Sequence, residues 1–582
     1  MDPVAVIYDQ ACHAWLHFKH PEKIISAHQI DDVIPALEKI KTYVNQQKSY
    51  AVGFVSYEAA NAFDDALVTH KSDSFPLLWF AIYNQAHDYT LPAVPRQADA
   101  LDLACDWTPS MTEKDYHAAI KRIKNYIQNG DTYQVNFTLR LKKHFTEIPF
   151  EFFLNMVRAQ KAAYPAYINT EDWTVASASP ELFFTADDES VITRPMKGTI
   201  ERGLTWDEDQ KNREYLLSSE KEKAENLMIV DMARNDLGRI AETGSVNVPG
   251  LFTAEKYPTV WQMTSDVQCR SHASLPDIFR ALFPAASITG APKSRTMEIV
   301  KELETTPRKI YTGTIGFITP ENRAQFNVAI RTLLLDKKTS EAEFGTGGGI
   351  VWDSVDKAEH FELQTKARIL QTFQPQFSLL ETMLWTNSEG FFLLDKHLER
   401  LKKSADYFDF PVNTNSLKHK LLDEAQNKNM ESAKVRLLLH HDGNFEYEFQ
   451  PFSGNLQKTS PLQVSMAKSP VDPSNVFLYH KTTYREPYKQ AKAECPGFDD
   501  VILYNTNNEI TETSIANIVV KFNGTFYTPP VKCGLLNGVF RQHLLDQGTV
   551  REKQLTVNEL KNSEDIYLIN SVRKWQSAQL VM

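Results

Sequence analysis

At Gln374-Pro375-Gln376 this chain changes character, and that break constrains its architecture more than any other feature. Beyond it, Leu379-Leu380-Glu381-Thr382 leads into LDKHLERLKKSADYF, where Leu394, Leu398, Leu401, Ala405 and Phe408 form one helical stripe and leave Arg400 to one side. A strand and an amphipathic helix at this point need a core of their own, so a second domain fits better than an extension of the first. The full 582 residues are too many for one core in any case. We therefore expect one domain over 1–373, with 1–110 its less clearly patterned part, and another over 378–582.

Composition serves mainly to exclude. With 63 basic and 74 acidic residues the net charge is −11, which disfavours non-specific binding to nucleic acid or an anionic membrane. No apolar run is long enough to span a bilayer, and the N-terminus MDPVAVIYDQ lacks the basic and apolar regions of a secretory signal. Cys12, Cys105, Cys269, Cys495 and Cys533 are isolated and odd in number, which argues against a disulfide framework or a structural zinc. The expected compartment is the cytoplasm.

Within the first part, Ile120, Ile123 and Ile127 at helical spacing stop at Asn129-Gly130, and Tyr133, Val135, Phe137, Leu139 and Leu141 then alternate as a strand. Its other face, Gln134, Asn136, Thr138 and Arg140, is polar enough for a sheet edge, a solvent face or a site. Phe183-Phe184 and Val191-Ile192 read as paired strands with a turn at Asp187-Asp188, followed by TRPMKGTIER. Pro195 and Gly198 hold Lys197 on a short, stiff lead, although a surface-loop lysine is the competing reading.

From Asp207 to Glu242 one or two helices are expected, with Glu225 four residues before Ile229 and so on the buried stripe. Glu359 and Glu362 share a face of a helix over Asp356–Leu370: either a solvated acidic face or a Mg²⁺ site. Between these lie SITGAPKSR, YTGTIGF, Arg331 among apolar residues, and GTGGGI. The last lacks the dinucleotide spacing, and glycine-rich turns of this kind offer backbone N–H groups to a carboxylate. Arg331 suits a bidentate carboxylate, with a structural ion pair as the alternative.

Taken in order, SASPELFF, RPMKGTIER, AENLMIVDMARNDLGR, SITGAPKSRTMEI, YTGTIGF, IRTL, GGGIV and AEHFE resemble the chorismate-utilising synthases, and within them component I of aminodeoxychorismate synthase. The resemblance implies an α/β (α+β) fold with two large antiparallel sheets around the site. It also implies Mg²⁺ between the substrate's ring carboxylate and Glu225, Glu359 and Glu362. Chorismate contacts are expected at Thr289, Gly290, Tyr311, Arg331, Gly347, Gly348 and Gly349. Anthranilate synthases usually carry alanine where Lys197 stands, so the resemblance makes Lys197 the nucleophile and Glu181 a general acid. Gln262 departs from the family, where many members have histidine, and it cannot shuttle a proton near neutrality.

The last third is similar to the smaller fold-type IV pyridoxal-phosphate enzymes, in particular 4-amino-4-deoxychorismate lyase, through HLERL, HKTTYREPY, ETSIANI, LNGVFR and NSVRKW. Lys481 matches the cofactor-bearing lysine, Glu512 the partner of the pyridine nitrogen, and Arg400 with Gly538 and Val539 the phosphate cradle. A branched-chain or D-amino-acid aminotransferase is the alternative for this domain.

Together the resemblances imply two consecutive reactions, from chorismate and ammonia to 4-amino-4-deoxychorismate and on to 4-aminobenzoate and pyruvate. No cysteine has a glutaminase-like setting, so ammonia is expected from a separate glutamine amidotransferase subunit or from solution. A homodimer through the second domain is a further expectation, with no nucleic-acid or membrane partner. The rival readings are an anthranilate synthase component fused to an aminotransferase, and a non-catalytic chorismate-binding module.

Overall fold

The computed structural model describes residues 4–72, 74–92, 107–367, 370, 375–452 and 460–581. Cys105 and the break at Gln374 lie outside the described residues. The chain divides into two compact units, Met1–Glu201 with Arg213–Gln374, and Arg202–Asn212 with Pro375–Met582.

The first unit is built on two ten-stranded, antiparallel sheets, the two-sheet α/β (α+β) arrangement expected. They face each other through one core, in which Val52, Phe54, Ile315 and Phe317 of one sheet meet Ile7, Ile168, Val175 and Leu334 of the other. Their outer faces are covered by helices. Ile30–Gln47 and Leu275–Leu282 pack on one sheet, and Pro149–Gln160, Glu113–Gln128 and Lys293–Leu303 on the other. The helix Glu113–Gln128 is capped by Thr112, whose hydroxyl accepts from the Asp115 N–H, and ends before Gly130 at φ 79°.

The strand Gln134–His144 runs between Gly290–Ala291 and Glu341–Ile350. Of the three readings of the polar face, edge, solvent face or site, the first two fall, since Gln134, Asn136, Thr138 and Arg140 are all buried. The glycine-rich GTGGGI is likewise not a turn. It forms the end of the strand Glu341–Ile350, paired from Gly345↔Arg140 to Ile350↔Val135. Glycine recurs there because neighbours fill the side-chain space: a Cβ on Gly345 would sit 2.1 Å from the Tyr311 ring.

In the second unit a four-stranded sheet opens with Leu379–Thr386 and carries the helices Leu394–Phe408 and Thr414–Gln426 over a shared core. An eight-stranded mixed sheet follows, including Asp500–Tyr504, Ile510–Thr513 and the hairpin Asn517–Phe522 to Thr525–Thr528. The segment Arg202–Asn212 belongs to this unit. The Arg202 guanidinium donates to both oxygens of Asp209 and lies 4.2 Å from the Tyr407 ring centroid, and Lys403 Nζ is 3.0 Å from Asp207.

Candidate active sites in the two units

Lys197 lies on the strand Met196–Glu201, at the edge of its sheet. Pairing with Val260–Arg270 slips between Met196↔Thr264 and Thr199↔Gln262, so Lys197 and Gly198 form a bulge, with Gly198 at φ 98°. A bulge re-aims the side chain that it carries. Two amides pin it. Asn226 Nδ2 donates to the Lys197 carbonyl at 3.0 Å, and Gln262 Nε2 donates to the Gly198 carbonyl at 2.9 Å while its Oε1 accepts from Thr199 Oγ1 at 2.8 Å. Gln262, the departure from the family, thus holds the strand that carries Lys197 through both ends of its amide.

The Lys197 ammonium lies 3.4 Å from Glu225 Oε2, both side chains about one-fifth exposed. It reaches Gly349, where an added Cβ would stand 2.9 Å from Nζ and 3.1 Å from the Gln134 amide. Gly348 faces Glu359 Oε2, and Lys366 Nζ bonds both the Gly347 carbonyl and Glu362. The end of the Gly345–Ile350 run is therefore where Lys197, Gln134, Glu359 and Lys366 meet. Gln134 is buried, and among the described residues its amide has no hydrogen-bond partner. The sequence marked it only as part of a polar strand face that could belong to a site, and named no individual role for it.

The expected metal carboxylates are near these amines. Glu225 shares a helix, Glu220–Gly238, with Asn226, and its neighbour Leu227, read as part of the apolar stripe, is exposed. Among the described residues no three carboxylate, histidine or cysteine side chains converge as metal ligands. Desolvation, reinforced by Glu362, raises the Glu359 carboxyl, whereas Lys366 holds Glu362 low. All-oxygen donors, one of them short of positive charge, fit a cation that takes one or two carboxylates and keeps its waters, as Mg²⁺ does.

Glu181 is buried, and burial pushes its carboxyl up to about 7. Ser287 Oγ donates to it at 2.6 Å, tying it to the SITG segment. Tyr311 is buried against Gly345, and Gly290 packs so closely on Gln134 that a Cβ would lie 2.1 Å from its carbonyl. Thr289 is fully buried, with its hydroxyl turned back to the Ala285 and Ala286 carbonyls. Arg331 does not continue a strand. It sits at φ 53° before Thr332–Asp336, and its Nη1 donates to the Gln160 amide oxygen at 2.9 Å.

In the second unit Lys481 is joined through its carbonyl to the Leu380 N–H at 2.9 Å, at the start of the strand Leu379–Thr386. Desolvation, followed by the Arg400 guanidinium, brings the Lys481 ammonium down to about 8. Burial pushes the Glu512 carboxyl up to about 7, and its hydrogen bonds come from the neutral donors Tyr488 Oη, Leu536 N and Asn517 Nδ2 at 2.7, 3.1 and 3.1 Å. Arg400 forks onto Glu381 at 2.9 and 2.7 Å and donates to the Asn537 carbonyl at 3.2 Å. Burial works to raise Glu381, but Arg400 and His397 outweigh it and hold it at about 2. Arg400 thereby stands at the N-terminus of Val539–Asp546, whose N-cap Gly538 has no room for a side chain, because a Cβ would fall 1.9 Å from Asn517 Oδ1. A lysine with a lowered pKa, a buried carboxyl bonded by neutral donors, and an arginine at a helix N-terminus fit pyridoxal phosphate. Tyr488 and Glu381 had no role in the sequence reading, because their partners are distant in sequence.

Residues 4–372 match the family described as chorismate binding enzyme, and residues 378–581 match amino-transferase class IV. Aminodeoxychorismate synthase component 1 of Bacillus subtilis is 34% identical over 361 residues, covering 55% of this chain and 76% of the relative. The Escherichia coli protein of the same description is 39% identical over 277 residues, covering 47% of this chain and 60% of its own length. Among solved structures, anthranilate synthase component I from Streptococcus pneumoniae aligns with a TM-score of 0.54 at 26% identity, over 64% of this chain and 93% of that one. With two sheets enclosing these side chains and the family match running through nearly all of the first unit, the chain belongs to the chorismate binding enzymes, and a class IV amino-transferase region follows in the same polypeptide.

Proposed function

We propose that the chain makes 4-aminobenzoate in two steps: the first unit converts chorismate and ammonia to 4-amino-4-deoxychorismate, and the second removes pyruvate from it. The observation that carries this reading is Lys197, aimed by a pinned bulge toward the Gly349 end of the site. An amine so placed, in its neutral form, attacks C2 of the chorismate ring as the C4 hydroxyl departs, and ammonia then adds at C4 and expels the lysine. Glu181, protonated up to about pH 7, gives its proton to the leaving hydroxyl. Glu225, Glu359 and Glu362 would hold Mg²⁺, which supplies positive charge against the ring carboxylate. Thr289, Gly290, Tyr311, Arg331, Gly347, Gly348 and Gly349 shape the space for the substrate. Glutamine hydrolysis on a separate amidotransferase subunit is the natural ammonia source, given relatives described as component 1.

In the second unit, pyridoxal phosphate supplies an electron sink when bound. Lys481 would carry it and, as a free amine, would take the proton from C4 of the substrate; Glu512 would keep the ring nitrogen protonated. Arg400 and the backbone at Gly538-Val539 hold the phosphate. Anthranilate formation is the second reading, favoured by the solved neighbour and opposed by Lys197. One experiment separates them: incubate the protein with chorismate, Mg²⁺ and ammonium, with and without pyridoxal phosphate, and identify products by mass spectrometry. We expect 4-amino-4-deoxychorismate without the cofactor and 4-aminobenzoate with it, whereas anthranilate or unchanged chorismate refutes the reading.

A further inference from the structure

A buried cluster of charges lies behind the proposed chorismate site and takes no part in the chemistry above. Arg308 and Glu304 are 2% and 3% exposed, and Arg140 beside them 1%. One carboxylate binds both guanidinium groups: Glu304 accepts from Arg308 Nε and Nη2 at 3.0 and 2.7 Å, from Arg140 Nη2 at 2.8 Å, and from the Thr138 amide and hydroxyl. Burial works to raise the Glu304 carboxyl, but Arg308 and Arg140 outweigh it and keep it low.

What Arg308 does with its remaining protons is more informative. Nη1 donates to the Ile288 carbonyl at 3.1 Å and to Thr312 Oγ1 at 3.3 Å, and Nη2 donates to the Asn136 carbonyl at 2.8 Å. These three acceptors stand next to Thr289, next to Tyr311, and two residues from Gln134. Asn136 closes the arrangement, its amide N–H donating to the Thr289 carbonyl and its side chain to the Ile288 carbonyl. Thr312 Oγ1 donates onward to the Tyr311 carbonyl at 2.6 Å.

We infer that Arg308, oriented by Glu304, is a positioning residue that clamps the SITG loop, the Tyr311 turn and the Gln134 strand into one chorismate-binding surface. A planar fork with five donors can satisfy acceptors on three segments at once, whereas an ammonium in its place cannot span them. The inference rests on the proposed function for its consequence, not for its geometry.

The test uses the full-length chain with two substitutions. Arg308→Lys keeps the charge opposite Glu304 and gives up the fork. Displacement of the contact residues by an ångström predicts a fall of about 10²-fold in synthase kcat/KM, with KM for chorismate raised. The Mg²⁺ titration midpoint and the second-unit activity should stay within about twofold. Hydrogen exchange at 286–291 and 311–313 should quicken about tenfold while the strand Thr314–Ile318 keeps its protection. Thr312→Ala removes a single acceptor, for which we expect about a fivefold loss in kcat/KM and faster exchange at 311–313. If Arg308→Lys does not fold, Thr312→Ala decides alone. Activity within about twofold of the parent in a folded variant, with exchange unchanged, overturns the clamp. If the parent itself leaves chorismate unchanged, the functional reading falls and the exchange data alone judge the clamp.

Discussion

The two lysines proposed to react, Lys197 and Lys481, are prepared by opposite routes. Lys197 is aimed: its strand bulges, Asn226 and Gln262 fix the carbonyls on either side of the bulge, and the side chain itself stays one-fifth exposed beside Glu225. Lys481 is tuned: desolvation and Arg400 bring its ammonium down to about 8, and its surroundings are charged groups rather than a distorted backbone. Backbone placement suits a lysine that meets its substrate directly. Electrostatic tuning suits one that must hold a cofactor and later, as a free amine, take a proton from the substrate.

The sharpest break in this comparison is removal of each amine. Lys197→Ala should lower 4-amino-4-deoxychorismate formation by about 10³-fold or more, and Lys481→Ala should do the same to 4-aminobenzoate release, each leaving the other half-reaction intact. Product analysis after mixing the two variants should show 4-aminobenzoate restored, provided the intermediate diffuses between molecules. Parental 4-aminobenzoate release by Lys481→Ala alone would falsify the assignment of the second unit.

A smaller effect is expected at the metal carboxylates. Glu359→Gln should raise the Mg²⁺ concentration for half-maximal synthase rate about tenfold, since one acidic ligand is lost from a site of two or three. An unchanged titration would assign Glu359 to a solvated helix face instead. Smaller again is Gln262→Ala, which releases one end of the bulge and should reduce synthase kcat about fivefold without altering the Mg²⁺ midpoint. If the aimed-lysine account is wrong, that variant will behave like the parent.

The gentlest test is pH. Glu181 is held up to about 7 by burial, so its acid form is present below that value and is lost as pH rises through it. Synthase kcat should therefore decline above about pH 7, at most tenfold per unit. Lys481 runs the other way: uptake of pyridoxal phosphate by cofactor-free protein, followed by absorbance, should accelerate as pH rises toward about 8, because only the neutral amine reacts. Identical profiles for the two would remove the distinction.

Much of this was legible from sequence because it is local. The helix and strand around Asn129-Gly130 and the paired strands at Phe183 and Val191 follow from periodicity and turn residues. Misreadings arose where distant neighbours decide. The glycines of GTGGGI mark a strand and not a turn because Tyr311, Thr138, Lys197 and Glu359 occupy the space their side chains would take. Which of its three readings the polar face of the Gln134 strand takes is decided by Glu304 and Arg308, more than 160 residues later, which hold Thr138, Arg140 and the Asn136 carbonyl in the interior. Arg331 rests on Gln160, a pairing across 171 residues that no local pattern announces. Gln262, which the family resemblance marks as a loss, gains a structural role only when its hydrogen bonds to Thr199 and Gly198 are seen.

The strip Arg202–Asn212 carries a practical consequence for anyone who would cut this protein in two. A stop codon after Gln374 yields a polypeptide that still bears the strip but has nothing for it to join, and a start codon at Pro375 yields one with a vacant berth beside Tyr407. The halves are therefore not interchangeable cassettes. Dissection, grafting onto other synthases, or reshuffling by gene fission must move Arg202–Asn212 with the C-terminal part, which in a linear gene requires circular permutation or a designed replacement for the strip.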